Sequence, residues 1–138
     1  MTRPNLIVSI LHLLGIVTLR FKPVPRIWAT WLMAVNLAAV AFLGRIEGQV
    51  AFTVAGVAVL AMALIYQRNR FTRVLGICHI LWVPMIAWLV WRWDSIQTDP
   101  TLATWITLMI ASNVVSLVID VTDVTRFLKG ERKPFYAW

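Results

Sequence analysis

The chain has 138 residues, 60% of them hydrophobic and 14% charged, with a mean hydropathy of +0.78; a soluble domain carries about 25% charged residues, so this composition excludes a water-soluble fold able to cover its own core. The formal charge of +7 would point to nucleic acid in a soluble protein, but the basic residues stand in short stretches beside apolar segments, where they act as topology signals and contacts for anionic lipid headgroups, and no nucleic-acid partner is expected. The single cysteine, Cys78, lies inside an apolar run, which excludes an intramolecular disulfide and thiol-pair redox chemistry.

Residues 1 to 21 resemble a signal peptide in having a positive residue before an apolar run, but the prolines and basic residues of FKPVPR follow where small residues of a cleavage site would stand, so the segment is expected to be retained. Residues 5–20 read as an amphipathic helix, with Asn5, Ser9, His12 and Arg20 on one narrow face and leucine, isoleucine and valine over most of the rest. It is short for a span, which needs roughly 20 residues, and a helix lying in or dipping into the membrane interface is expected. Pro23 and Pro25 break it.

Four apolar segments follow, at 27–44, 50–66, 74–93 and 102–121. The first two form a helical hairpin around GRIEGQ and are rich in small residues, Ala34 and Ala38 in one and Ala51, Ala55, Gly56 and Ala58 in the other, at spacings that let helix backbones approach closely. In the third, Pro84 removes the usual donor for the carbonyl of Ile80 and predicts a kink one turn earlier. The fourth is expected to continue as a helix past the membrane surface until Gly130, with residues 122–138 forming this extension and a basic, aromatic tail. The fold class is therefore an all-α integral membrane protein, four transmembrane helices in an antiparallel bundle plus the N-terminal interfacial helix, in one membrane domain.

Lys and Arg alternate along the chain. Three fall in residues 20–26 (Arg20, Lys22, Arg26), three in 67–73 (Arg68, Arg70, Arg73) and four after residue 123, including Lys129, Arg132 and Lys133. The intervening turns hold one each, Arg45 and Arg92. By the positive-inside rule the three basic regions, and with them both termini, are cytoplasmic, in a membrane such as the bacterial inner (plasma) membrane, and these cations meet anionic lipid headgroups. Trp28, Trp31 and Tyr66 mark one interface and Trp91, Trp93 and Trp105 the other.

No phosphate loop, HExxH, CxxC or GxSxG motif is present, which favours a protein without its own catalysis. The chemistry-bearing residues are isolated polar groups. On the last segment Ser112, Asn113, Ser116, Asp120 and Asp123 fall within an arc of roughly 100° at 100° per residue, a stripe that a lipid-facing helix would not tolerate. His79 has a similar expected depth, Asn36 sits near the middle of the first segment, and His12 is carried by the N-terminal helix. Three readings compete. In the first, Asp120 and Asp123 pair with Arg73, Arg20 or Arg126 while His79 and the asparagines hydrogen-bond between helices, as in a structural or accessory subunit of a homo-oligomer or larger membrane assembly. In the second, the stripe and His79 form the cytoplasm-facing polar site of a small transporter or channel subunit, although the outer half of the segment offers only Thr104 and Thr107, both off that face. In the third, His12 and His79 ligate haem or a metal, with Asp120 or Asp123 as an oxygen ligand or as a partner holding a ligating histidine, and Trp82 and Trp93 walling the pocket; no cofactor is expected under the first two.

Overall fold

A computed structural model describes residues 5–136; Ala137 and Trp138 of the expected tail and the first four residues of the segment read against a signal peptide lie outside the described residues. The described chain is helical throughout, without a β-strand. Its helices are α1 (Leu6–Gly15), α2 (Pro23–Leu37), α3 (Ile46–Asn69), α4 (Trp82–Trp91), the single turn α5 (Trp93–Ile96) and α6 (Pro100–Leu128). A π-helical turn, Ile16–Arg20, ends α1, a 3₁₀ stretch, Ala38–Phe42, continues α2, and another, Arg73–His79, precedes α4.

Four continuous helical stretches are long and apolar enough to cross a membrane: Pro23–Phe42, Ile46–Asn69, Arg73–Trp91 and Pro100–Leu128, called here the first to fourth spans. Leu6–Arg20 is a shorter apolar helix. These are the segments expected of a chain whose solvent is lipid, and the protein is a membrane protein by that measure.

Several boundaries differ from the pattern read in the sequence, each for a local reason. Pro23 and Pro25 end the first helix and also open the next, because the amides of a first helical turn have no intrahelical acceptor to lose. Pro100 opens α6 in the same way, and Asp99 caps it by accepting from the amides of Thr101 and Leu102. The third span is interrupted where Pro84 predicts a kink, but the carbonyl of Ile80 is not orphaned: the tighter turn brings the amide of Val83 to it at 3.2 Å. Helix α4 stops at Trp91, so Trp93 starts α5 and packs against the core of the opposite half, away from His79. Helix α6 runs to Leu128, and Gly130 follows with φ 111°.

The two ends of the molecule differ in charge. At one end the hairpin turn and the loop after α4 meet: Arg92 donates from Nε and Nη2 to Oε1 of Glu47 at 3.0 and 2.8 Å, and Arg45 lies 3.9 Å from both Glu47 and Asp99. At the other, basic end the loop after α3 is covered by the C-terminal tail. The amide of Phe135 donates to the carbonyl of Phe71 at 3.0 Å, and Phe21, Phe71 and Tyr136 form an aromatic cluster with centroids 4.8 to 5.8 Å apart.

The core divides accordingly. One cluster, including Val35, Ala39, Ala51, Trp82, Leu89, Trp105 and Met109, joins all four spans. A smaller one, Leu13, Ile16, Ala63, Tyr66 and Leu75, holds the N-terminal helix against α3 and the start of the third span. The narrow polar face of the N-terminal helix turns inward only at its middle: Ser9 is fully buried and His12 partly, while Asn5 and Arg20 are exposed, as are Leu6, Ile7, Leu11 and Leu14. Small residues serve close contact in part. Ala39, Ala51 and Ala58 are buried, and a Cβ at Gly48 would stand 2.0 Å from the carbonyl oxygen of Phe42, so only glycine fits beneath the hairpin. Ala34 and Gly56 face outward.

Candidate functional site: a polar seam along the fourth span

The stripe on α6 faces the protein interior. Ser112, Asn113 and Ser116 are buried, and Asp120 and Asp123 are partly buried one and two turns further on. Each level of the stripe meets a different neighbour. At mid-depth Asn36 and Asn113 exchange hydrogen bonds, Nδ2 of Asn36 donating to Oδ1 of Asn113 at 2.8 Å and the reverse bond measuring 3.2 Å. Beside them Nε1 of Trp31 donates to the hydroxyl oxygen of Ser112 at 2.9 Å, and that hydroxyl donates to the carbonyl of Leu108. Every donor or acceptor taken from water into lipid needs such a partner, and the first and fourth spans supply them to one another.

Toward the basic end the partner becomes the third span. Nδ1 of His79 lies 2.8 Å from Oδ2 of Asp120, and the imidazole stacks on Trp82 with centroids 4.0 Å apart and planes 13° from parallel. Gly76 makes this possible. A Cβ there would lie 2.8 Å from Oδ1 and 2.9 Å from Cβ of Asp120, so a side chain would hold the fourth span away. In the tautomer that carries its proton on Nδ1, His79 donates to Asp120 and keeps Nε2 as an acceptor; with both nitrogens protonated it forms an ion pair. The two side chains are 15% and 16% exposed.

Asp123 forms an ion pair with Arg73, whose Nε also donates to Glu131 at 3.1 Å, and the guanidinium lies over the ring of Phe135 at 4.1 Å. Arg126 turns to Glu131 as well, at 2.9 and 3.0 Å. Hydrogen bonding to Arg126 holds the Glu131 carboxyl below its ordinary value. The expected pairing is corrected in its details: Arg73 takes Asp123, Arg126 takes Glu131, and Asp120 takes histidine.

His12 approaches Tyr66 edge-on, with centroids 6.1 Å apart, whereas His79 is engaged by Asp120 and Trp82. Trp82 walls His79 as the sequence spacing implied; Trp93 does not. Among the described residues no three His, Cys, Asp or Glu side chains gather in a way that could hold a metal ion. The hydroxyls of Thr104 and Thr107 return to carbonyls of their own helix, so they extend no polar path toward the acidic end. Of the cations expected at lipid headgroups, Arg20, Lys22, Arg26, Arg68, Arg70, Lys129, Arg132 and Lys133 are exposed, and only Arg73 is drawn inward.

One strong polar contact is not visible in the sequence pattern. Glu47 is 1% exposed beneath Arg92, although the pattern places it in a turn. The available signal is an acid at the start of one span and an arginine at the end of another, both on the same side of the expected topology. No protein-family model, no curated protein and no solved structure matches the chain, so what it does has to be read from its own residues.

Proposed function

We propose that this is a multi-pass membrane protein without catalysis of its own, a structural or accessory subunit of a homo-oligomeric or larger membrane assembly. One observation carries the reading: four polar pairs join different helices of the molecule. Asn36 with Asn113, His79 with Asp120 and Arg73 with Asp123 are pairs between spans, and Glu47 with Arg92 joins the second span to the loop after the third, which is what holds a small bundle together in lipid. Ala34 and Gly56, small and outward-facing, leave room for a neighbouring helix.

In this reading the spans form an antiparallel bundle, the basic end faces the cytoplasm with both termini, and α1 dips into the interface with its exposed apolar residues, Ile7, Leu11 and Leu14 among them, in the acyl region. Charge pairing supports the orientation. Arg45 and Arg92 at the opposite end both lie beside Glu47, whereas the basic end presents exposed cations such as Lys22, Arg26, Arg68 and Arg70. Labelling of single cysteines at Asn69 and Ser95, both exposed, tests it: Ser95 should react from outside and Asn69 only after permeabilisation, and the reverse pattern overturns the orientation.

A second reading, a proton-coupled transporter or channel subunit, is favoured by the His79–Asp120 dyad. Asp120→Asn separates the two. In a structural subunit it lowers thermal stability or assembly; in a transporter it abolishes flux in reconstituted vesicles from a protein that stays folded and assembled.

A further inference from the structure

We propose that the polar seam holds one water molecule between the indole of Trp82 and the hydroxyl of Ser116, and that this water joins the His79–Asp120 pair to the Asn36–Asn113 pair.

One donor in the seam has no acceptor. Nε1 of Trp82 is buried, in a residue 3% exposed, and no atom of the described residues accepts from it. The neighbouring indoles are served: Nε1 of Trp31 donates to Ser112 at 2.9 Å and that of Trp105 to the carbonyl of Val35 at 2.8 Å. A buried N–H is satisfied by protein or by an ordered water in all but a few cases, because leaving it bare forfeits the hydrogen bond it makes in the unfolded chain.

A second group at the same level is also unengaged. Trp82 stands one turn beyond His79 on the third span, and Ser116 one turn beyond Asp120 on the fourth, both in the direction away from the basic end. Since His79 is bonded to Asp120, the next turn of each helix brings Trp82 and Ser116 to a common depth. Ser116 is buried, yet unlike that of Ser112 its hydroxyl does not return to a carbonyl of its own helix, and it has no hydrogen bond among the described residues. The third span lies closest to α6 along Arg73–His79 and draws away from it along α4, which begins at Trp82. The donor is left over where the two spans part.

The chemistry of that level selects water. It calls for an acceptor toward an N–H and a donor toward a hydroxyl oxygen, in a space of atomic size, and water is both. One turn nearer the basic end the Asp120 carboxylate can accept from it; one turn further on, Asn113 uses one amide proton on Asn36 and has a second to give. The seam is thereby hydrated from the basic end, where Asp120 and Asp123 are partly exposed, as far as the asparagine pair. It goes no further, because the hydroxyls of Thr104 and Thr107 are bonded to their own helix.

The test uses the whole protein in lipid nanodiscs with isotope-labelled tryptophan and reads magnetisation transfer from water to each indole N–H. The Trp82 signal is assigned in wild type by its NOE to the ring of His79, whose centroid is 4.0 Å away. Trp82 should show a direct NOE from water and Trp105 none. Ser116→Val replaces the hydroxyl by methyl groups and should abolish the transfer at Trp82, with unmoved Trp31 and Trp105 signals reporting an intact fold. Where the valine variant does not fold, Ser116→Ala removes the hydroxyl without added bulk and should weaken the NOE. A wild-type Trp82 without a water NOE overturns the proposal, whether its indole then bonds to Ser116 directly or to nothing. So does an undiminished NOE in the folded variant, which places the water away from Ser116.

Discussion

Asn36 and Asn113, 77 residues apart in sequence, face each other as a reciprocal amide pair at the centre of the molecule, each side chain donating to the other. Both are buried, so neither has water as a substitute partner. Replacing Asn36 alone, Asn36→Leu, should cost about 1–3 kcal/mol, because the amide of Asn113 loses its partner in an apolar setting, and Asn113→Leu should cost less, because Nδ2 of Asn36 still donates to the carbonyl of Leu32 at 2.9 Å. The double replacement should recover most of that loss. Thermal or denaturant unfolding of the four proteins in one detergent, analysed as a double-mutant cycle, checks it; strict additivity would show that the pair contributes nothing.

Gly76 sets the distance between the third and fourth spans. Gly76→Ala places a methyl group 2.8 to 2.9 Å from the side chain of Asp120, and backbone or side chain must shift. Stability should fall by about 1–3 kcal/mol, and the His79–Asp120 bond should lengthen with it. Histidine nitrogen chemical shifts report the second effect directly. An alanine variant with the wild-type melting point and histidine spectrum would contradict this account of the close approach.

Glu47→Gln should be the most costly of the conservative acid-to-amide changes. It removes the charge that Arg92 engages through two nitrogens, in a carboxyl side chain that is 1% exposed. The Arg92 side chain is 30% exposed and can rehydrate in part, so a loss of about 1–3 kcal/mol is expected rather than the full penalty of a buried unpaired charge. Denaturant unfolding beside Asp94→Asn, a change at an exposed acid of the same end, provides the comparison.

The tail should be held slightly less firmly in acid. Folding lowers the Glu131 carboxyl below 4.5 through its hydrogen bond to Arg126, so its contribution is present above that value and is lost as the pH falls through the still lower folded value. The carboxyl is solvent-exposed and the effect is correspondingly small. Hydrogen exchange at the Phe135 amide, corrected for the intrinsic rate, should show protection that declines slightly below pH 4.5, and Glu131→Gln should flatten this step.

The membrane spans are legible in the sequence because lipid demands unbroken apolar length, a property of composition alone. The depth of most polar residues is legible too, since position along a helix converts to height at a fixed rise. Their partners are not. Pairing depends on how each helix is rotated and how closely two backbones approach, and Gly76, inconspicuous in the sequence, decides the contact of Asp120. The prolines at 23 and 25 read only as breakers, because a residue that ends one helix and begins the next has one sequence and two roles. Glu47 is hidden in the hairpin turn because the helix begins at Ile46, earlier than the apolar run suggests.

The bond from the amide of Phe135 to the carbonyl of Phe71 ties the last described turn of the chain to a loop 64 residues earlier. That contact can close only after both the third and the fourth spans, which separate the two groups in the chain, have taken their places. Loss of the bond should accordingly uncover Phe21, Phe71 and Tyr136 at the basic end and leave the spans themselves in place.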